Sequence, residues 1–270
     1  MTSALGAAAI ACYALASVLL GRRLVRGASA SGFRAQLFAS GAAALALHAT
    51  VLYPVVLGGA GLNLGFFHVL SLMGWAIALT VLLGALFQPV ENLGLALFPA
   101  AAVTLLLELA FPAARQMPLG GGWAQLAHVA LSIAAYSLLT LAAMQSVLLW
   151  FQHRQLHGRR PGGFVRALPP LQTMESLLFQ MLTLGFVLLT LALFAGAFFV
   201  HDLRGQHLLH KAALSALAWA VFGGLLWGRW RHGWRGRTAI RWTLAGFAAL
   251  LLAYFGSKAV LELLLNRSWG

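Results

Sequence analysis

Cysteine is nearly absent from this chain of 270 residues: Cys12, inside an apolar run, stands alone. A single cysteine excludes an intramolecular disulfide, a CxxC redox pair and a CxxCH haem-attachment site. The chain is therefore neither a thiol oxidoreductase nor a c-type cytochrome. Acidic residues are also scarce, five against 18 Lys and Arg, and no two acids lie together. There is no nucleophile–base arrangement, no Walker motif and no G-x-G-x-x-G. Gly58-Gly59-Ala60-Gly61 reads as a turn rather than a phosphate cradle. Charged residues of either sign make up only 9%. That is too little polar surface to cover a soluble domain of this length.

Apolar sequence fills the space: 61% of residues are hydrophobic and the mean hydropathy is +0.86. The chain reads as an all-α, polytopic integral membrane protein. Eight apolar spans can be placed, starting near Ser3, Ala35, Leu64, Leu93, Trp123, Ser176, Ala212 and Thr243. Each is about 18–28 residues, long enough for a hydrocarbon core of ~30 Å. No internal repeat and no soluble domain is evident, so residues 1–270 read as one transmembrane domain.

The net charge of +13 would suggest nucleic acid in a soluble protein. In a bilayer its distribution sets orientation instead, and no nucleic-acid partner is expected. The connections after spans one, five and seven hold thirteen arginines, among them Arg22, Arg23, Arg34, Arg154, Arg229 and Arg241. The opposite connections and the C-terminal segment hold five basic residues: Arg115, Arg204, Lys211, Lys258 and Arg267. This asymmetry predicts both termini outside the cytoplasm and a first span retained rather than cleaved. The expected location is the bacterial inner membrane.

Nine histidines are then sorted by this topology. His153, His157 and His232 fall in basic loops and read as solvated. His48, His68, His128, His201, His207 and His210 all fall toward the outer side. Imidazoles in apolar helices are costly unless paired or ligating, so six on one side suggest a site. His128 lies in the second turn of span five, with Ser132 one turn along to orient it. His210 has the equivalent place on span seven. Two such helices could hold one metal between them. Haem is the leading candidate: its macrocycle is apolar, its iron accepts axial histidines, and Arg115, Arg204 and Lys211 could receive its propionates. His48 and His68 are alternative ligands, and Trp123 and Trp219 possible pocket walls. Two other readings stay open. His201, His207 and His210, with Asp202, could bind zinc or copper. Every one of these histidines could also simply pack through hydrogen bonds to a neighbouring helix. Glu108 is a mild candidate for proton handling.

Specific residue strings carry a resemblance. His128-Val-Ala-Leu-Ser-Ile-Ala-Ala-Tyr136, Pro169-Pro-Leu-Gln-Thr-Met-Glu-Ser176, His210-Lys211, Trp219, Trp227-Gly-Arg-Trp230, Gly236-Arg-Thr-Ala-Ile240 and Tyr254-Phe-Gly256 are the matching segments. In them the chain resembles the cytochrome c assembly membrane-protein family of CcsA/CcmC-type haem handlers, and within it the YpjD and HemX-like branch. The resemblance implies a non-covalently bound haem (heme b) and a part in haem handling or cytochrome c maturation, without catalysis by this chain. Its implied partners are membrane lipid, haem and other maturation proteins. His128 is similar to the family's first external haem histidine. The synthases' tryptophan-rich loop is replaced here by HDLRGQHLLHK, the place of their second external histidine falls near Leu265, and Trp227 stands where they have another histidine. A pair made of His128 and His210, with His207 nearby, would be an arrangement of this branch. The competing functional classes are a transporter of haem, a metal ion or a small solute, and a ligand-free regulatory or scaffold subunit.

Overall fold

The computed structural model describes residues 2–26, 32–56, 61–63, 65–111, 116–118, 122–157, 168–199 and 209–256. Eight helices follow in order: α1 (Thr2–Arg26), α2 (Phe33–Val56), α3 (Phe66–Phe87), α4 (Gly94–Ala110), α5 (Gly122–His157), α6 (Leu171–Phe199), α7 (Leu209–His232) and α8 (Gly236–Leu251). All eight contain a segment long and apolar enough to cross a membrane. The chain is an all-helical polytopic membrane protein, as its composition requires. Between α2 and α3, β1 (Gly61–Asn63) pairs antiparallel with β2 (Gln116–Pro118), Leu62 opposite Met117. The sequence predicts only loops there, because a three-residue ribbon carries no periodic pattern of its own.

Several helices outrun their apolar spans. α5 continues through His157, and α6 begins at Leu171 rather than near Ser176. His153 and His157 are therefore helical, not loop residues. The basic stretch after span seven is likewise mostly helix, and the connection shrinks to the residues between His232 and Gly236. Hydropathy marks only the part of a helix that lies in hydrocarbon. Hydrogen bonding carries the helix further, and arginines near a C-terminus suit its dipole. Arg229, Arg231 and His232 occupy the last turn of α7. Gly233, at φ 66°, stops it: its N–H reaches back to the Arg229 carbonyl at 3.1 Å, the five-to-one bond of a left-handed glycine cap.

The chain forms two compact units. The first comprises Met1–Leu119 with Gln152–Pro170; the second comprises Gly120–Phe151 with Leu171–Gly270. In the first, α1 packs on α2 and α4, and α3 packs on α2 and α4, which closes a four-helix ring. Ala9, Tyr13, Ala16 and Leu20 form the buried stripe of α1 at three- and four-residue spacing. Leu15, Val18, Leu83 and Leu86 point outward, as lipid allows. One end of this unit gathers arginines. Arg23 pairs with Glu91 at 2.7 Å, and Arg34 Nη2 donates to the Ala85 carbonyl at the end of α3. In the second unit α7 packs between α6 and α8. α5 joins them through Gln145 Nε2, which donates to the Met174 carbonyl of α6 at 3.0 Å, and Tyr136 Oη, which donates to the Leu250 carbonyl of α8 at 2.7 Å.

Candidate functional site

Within the second unit, antiparallel packing collects four helix ends. These are the start of α5, the end of α6, the start of α7 and the π-helical turn Leu252–Gly256 that follows α8. The arginine-rich connection between α7 and α8 is at the opposite end. His128 is half-buried in the second turn of α5. Its Nδ1 donates to the backbone carbonyl of Ala192 on α6 at 2.8 Å. A carbonyl can only accept, so Nδ1 carries the proton, and in the neutral ring Nε2 keeps its lone pair. Ser132, expected as the orienting partner, is not used. The reason lies on α6. A Cβ at Gly196 would stand 2.9 Å from Cε1 of His128 and 3.0 Å from Nδ1. Only glycine lets the imidazole lie flat enough against α6 to reach a main-chain oxygen.

Below His128 on α5, Tyr136 packs edge-on against Tyr254 and Phe255 of the π-turn. Such turns interrupt the regular ladder and re-aim side chains. Here the turn places Tyr254 under Lys211 of α7, whose Nζ lies 5.2 Å from the ring centroid. Tyr254 is thus approached from both α5 and α7. His210 is the second residue of α7, at the same end as His128. Trp219 stacks on Phe186 and donates to Thr190 Oγ1 at 2.9 Å, while Trp123 is largely exposed. His201, His207, Arg204 and Arg115 lie outside the described residues. Among the described residues no three His, Cys, Asp or Glu side chains converge as metal ligands.

His48 and His68 belong to the first unit and have different surroundings. His48 is fully buried. Its Nδ1 is 3.2 Å from Tyr13 Oη and its Nε2 is 2.9 Å from Ser71 Oγ. Both nitrogens are engaged, so a metal would have to displace one bond. His68 Nδ1 lies 3.1 Å from Glu108 Oε1, and both residues are buried. At the arginine-rich end of the second unit, Glu175 meets Arg229 at 3.4 Å, and the guanidinium lies 4.5 Å from the Phe179 ring centroid.

The fold and these sites define a membrane protein with eight spanning helices and buried histidines but few acids. The chain belongs to the cytochrome c assembly protein family, whose model matches residues 37–265. It is similar to the inner membrane protein YpjD of Escherichia coli strain K12, 35% identical over 241 residues, covering 86% of this chain and 89% of that one. HemX of Brevibacillus brevis is 30% identical over 133 residues, 48% of this chain and 49% of HemX. The cytochrome c biogenesis protein CcsA of Gloeobacter violaceus is 27% identical over 100 residues, 36% and 30% of the two chains. No solved structure matches the chain. The protein resides in the bacterial inner membrane, in keeping with its spanning helices and its YpjD relative.

Proposed function

We propose that this protein holds haem at the histidine end of its second unit and serves haem handling or cytochrome c maturation. The observation that carries the reading is the bond from His128 Nδ1 to the Ala192 carbonyl. Metal-bound imidazoles usually donate their other nitrogen to a carbonyl or carboxylate, which holds the ring and raises the basicity of the ligating atom. His128 would therefore hold the haem iron through Nε2. His210, in the first turn of α7 at the same end, is the proposed second ligand. Lys211 supplies a cation for a propionate, with Arg115 and Arg204 as further candidates. Bound haem would supply a redox-active iron. The chain's own task is to bind it, orient it and shield its macrocycle with apolar side chains. The names of the CcsA relatives support maturation as the setting, and other maturation proteins are the proposed partners.

Absorption spectroscopy of the purified protein, with and without added haem, tests this. A Soret band should form with wild type, be lost or strongly shifted in His128→Ala, and change from six- to five-coordinate in His210→Ala. Wild-type spectra from both variants would refute the site.

A further inference from the structure

The hairpin of α7 and α8, at the end of the second unit opposite His128, concentrates cations that the described acids do not neutralise. Glu91 pairs with Arg23, Glu108 with His68 and Glu175 with Arg229. Arg231, Arg235, Arg237 and Arg241 are exposed and make no ion pair or hydrogen bond with any described residue. Arg237 and Arg241 are four residues apart on α8, so their side chains are neighbours on one face. Like charges at that spacing destabilise a helix, and an anion between them removes the penalty.

The hairpin is rigidly built. Gly233 and Gly236, at φ 66° and 53°, allow its tight connection. Trp234 folds back over Gly228, where a Cβ would strike its indole, and its ring centroid lies 5.0 Å from that of Trp242. Trp242 in turn packs on Gly224. These two tryptophans are turned into the contact between α7 and α8. Trp227 and Trp230 are turned out, 58% and 81% exposed, and share the outer face of α7 with Arg231. Indoles so placed sit at the boundary between hydrocarbon and headgroups. That puts the adjoining arginines at the level of the phosphates. Beyond Arg241, the same face of α8 and its π-turn continues with Ala245, Ala248 and Leu252, all exposed and apolar. A soluble anion or an acidic protein would leave that apolar face unmatched, whereas an acyl chain fits it.

We propose that the hairpin of α7 and α8 is a binding site for an anionic phospholipid. Arg237 and Arg241 bridge its phosphodiester, and an acyl chain lies along Ala245 and Ala248. Arg231 and Arg235 add to the positive field, and Trp227 and Trp230 set the depth of the hairpin in the bilayer. A guanidinium suits the phosphate because its planar fork can donate two parallel bonds to phosphate oxygens. Each basic residue near an anionic lipid surface contributes roughly a fivefold gain in affinity. Haem binding at the far end plays no part in this site.

The test titrates the full chain, purified in a neutral detergent, with phosphatidylglycerol or phosphatidylcholine and reads bound lipid by native mass spectrometry. Wild type should bind phosphatidylglycerol saturably and more tightly than phosphatidylcholine. Arg237→Gln/Arg241→Gln should weaken phosphatidylglycerol about 25-fold, two fivefold steps. Arg22→Gln/Arg26→Gln, which removes the same charge from α1, should bind as wild type does. Inorganic phosphate, glycerophosphoglycerol (the headgroup without acyl chains) and oligoglutamate should not displace the lipid. Equal affinity for the two lipids overturns the site, and so does an equal loss in the α1 variant. Displacement by either small anion would mean a phosphate site that ignores the acyl chain, and displacement by oligoglutamate a surface for an acidic protein; each overturns the lipid assignment. If the double variant fails to fold, Arg241→Gln alone should lose about fivefold, and wild-type affinity in that variant also overturns the site.

Discussion

At the scale of single residues, the orientation of His128 depends on a residue with no side chain. Gly196 opens the approach and Ala192 supplies the oxygen. Gly196→Ala should push the ring away from α6 and break its bond to the carbonyl. Loss of such an orienting partner typically lowers metal affinity by about 10–100-fold. Haem titration of the variant, read from the Soret band, should show a drop of that order with helix content unchanged. In the first unit, Tyr13→Phe removes one bond to His48 and leaves the ring otherwise packed. Interhelical hydrogen bonds in membrane proteins are worth about 0.6–1.7 kcal/mol. The variant should be destabilised by about that amount in detergent unfolding and should keep its haem spectrum. Neither partner was legible beforehand. Ser132, four residues from His128, is its near neighbour in sequence, whereas Ala192 and Gly196 reach it only because α6 runs back alongside α5.

At the scale of elements, the junction of α7 and α8 depends on one arginine. Arg229 meets Glu175 at 3.4 Å, donates to the Trp234 carbonyl at 3.3 Å and lies over Phe179. These contacts tie the end of α7 to the start of α6 and to the connecting turn. The side chain is part-exposed, so the ion pair alone contributes at most about 1 kcal/mol, and the ring contact a similar amount. Arg229→Ala should lower stability by about 1–2 kcal/mol in thermal unfolding. Arg229→Lys should recover only part of the loss, because ammonium lacks the planar fork. The number and order of helices could be read from hydropathy alone. Their ends could not, since the last turns of α5 and α7 are stabilised by backbone bonds and interfacial arginines that a hydropathy window counts as loop.

At the scale of the whole molecule, the thirteen-to-five division of basic residues predicts which way the chain is oriented. Alkaline phosphatase inserted between α7 and α8, at Trp234, should be inactive, because the arginine distribution predicts that connection on the cytoplasmic side. The same enzyme inserted between α6 and α7, at Gly205, should be active. The reverse pattern would invert the topology and place the histidine ends inside. What the sequence determined by itself was the solvent: 61% hydrophobic residues and 9% charge admit only a lipid-embedded, helical chain. It also determined the family, through local strings around His128, Pro169 and His210. Only the tertiary structure separated the histidines. His48 and His128 look alike in sequence, each a lone imidazole in an apolar helix. One is enclosed by two hydroxyls from α1 and α3 and the other leans on a carbonyl of α6. Which atoms surround a buried polar group depends on helices brought together from 23 to 64 residues away, and helical periodicity within a single span carries no information about them.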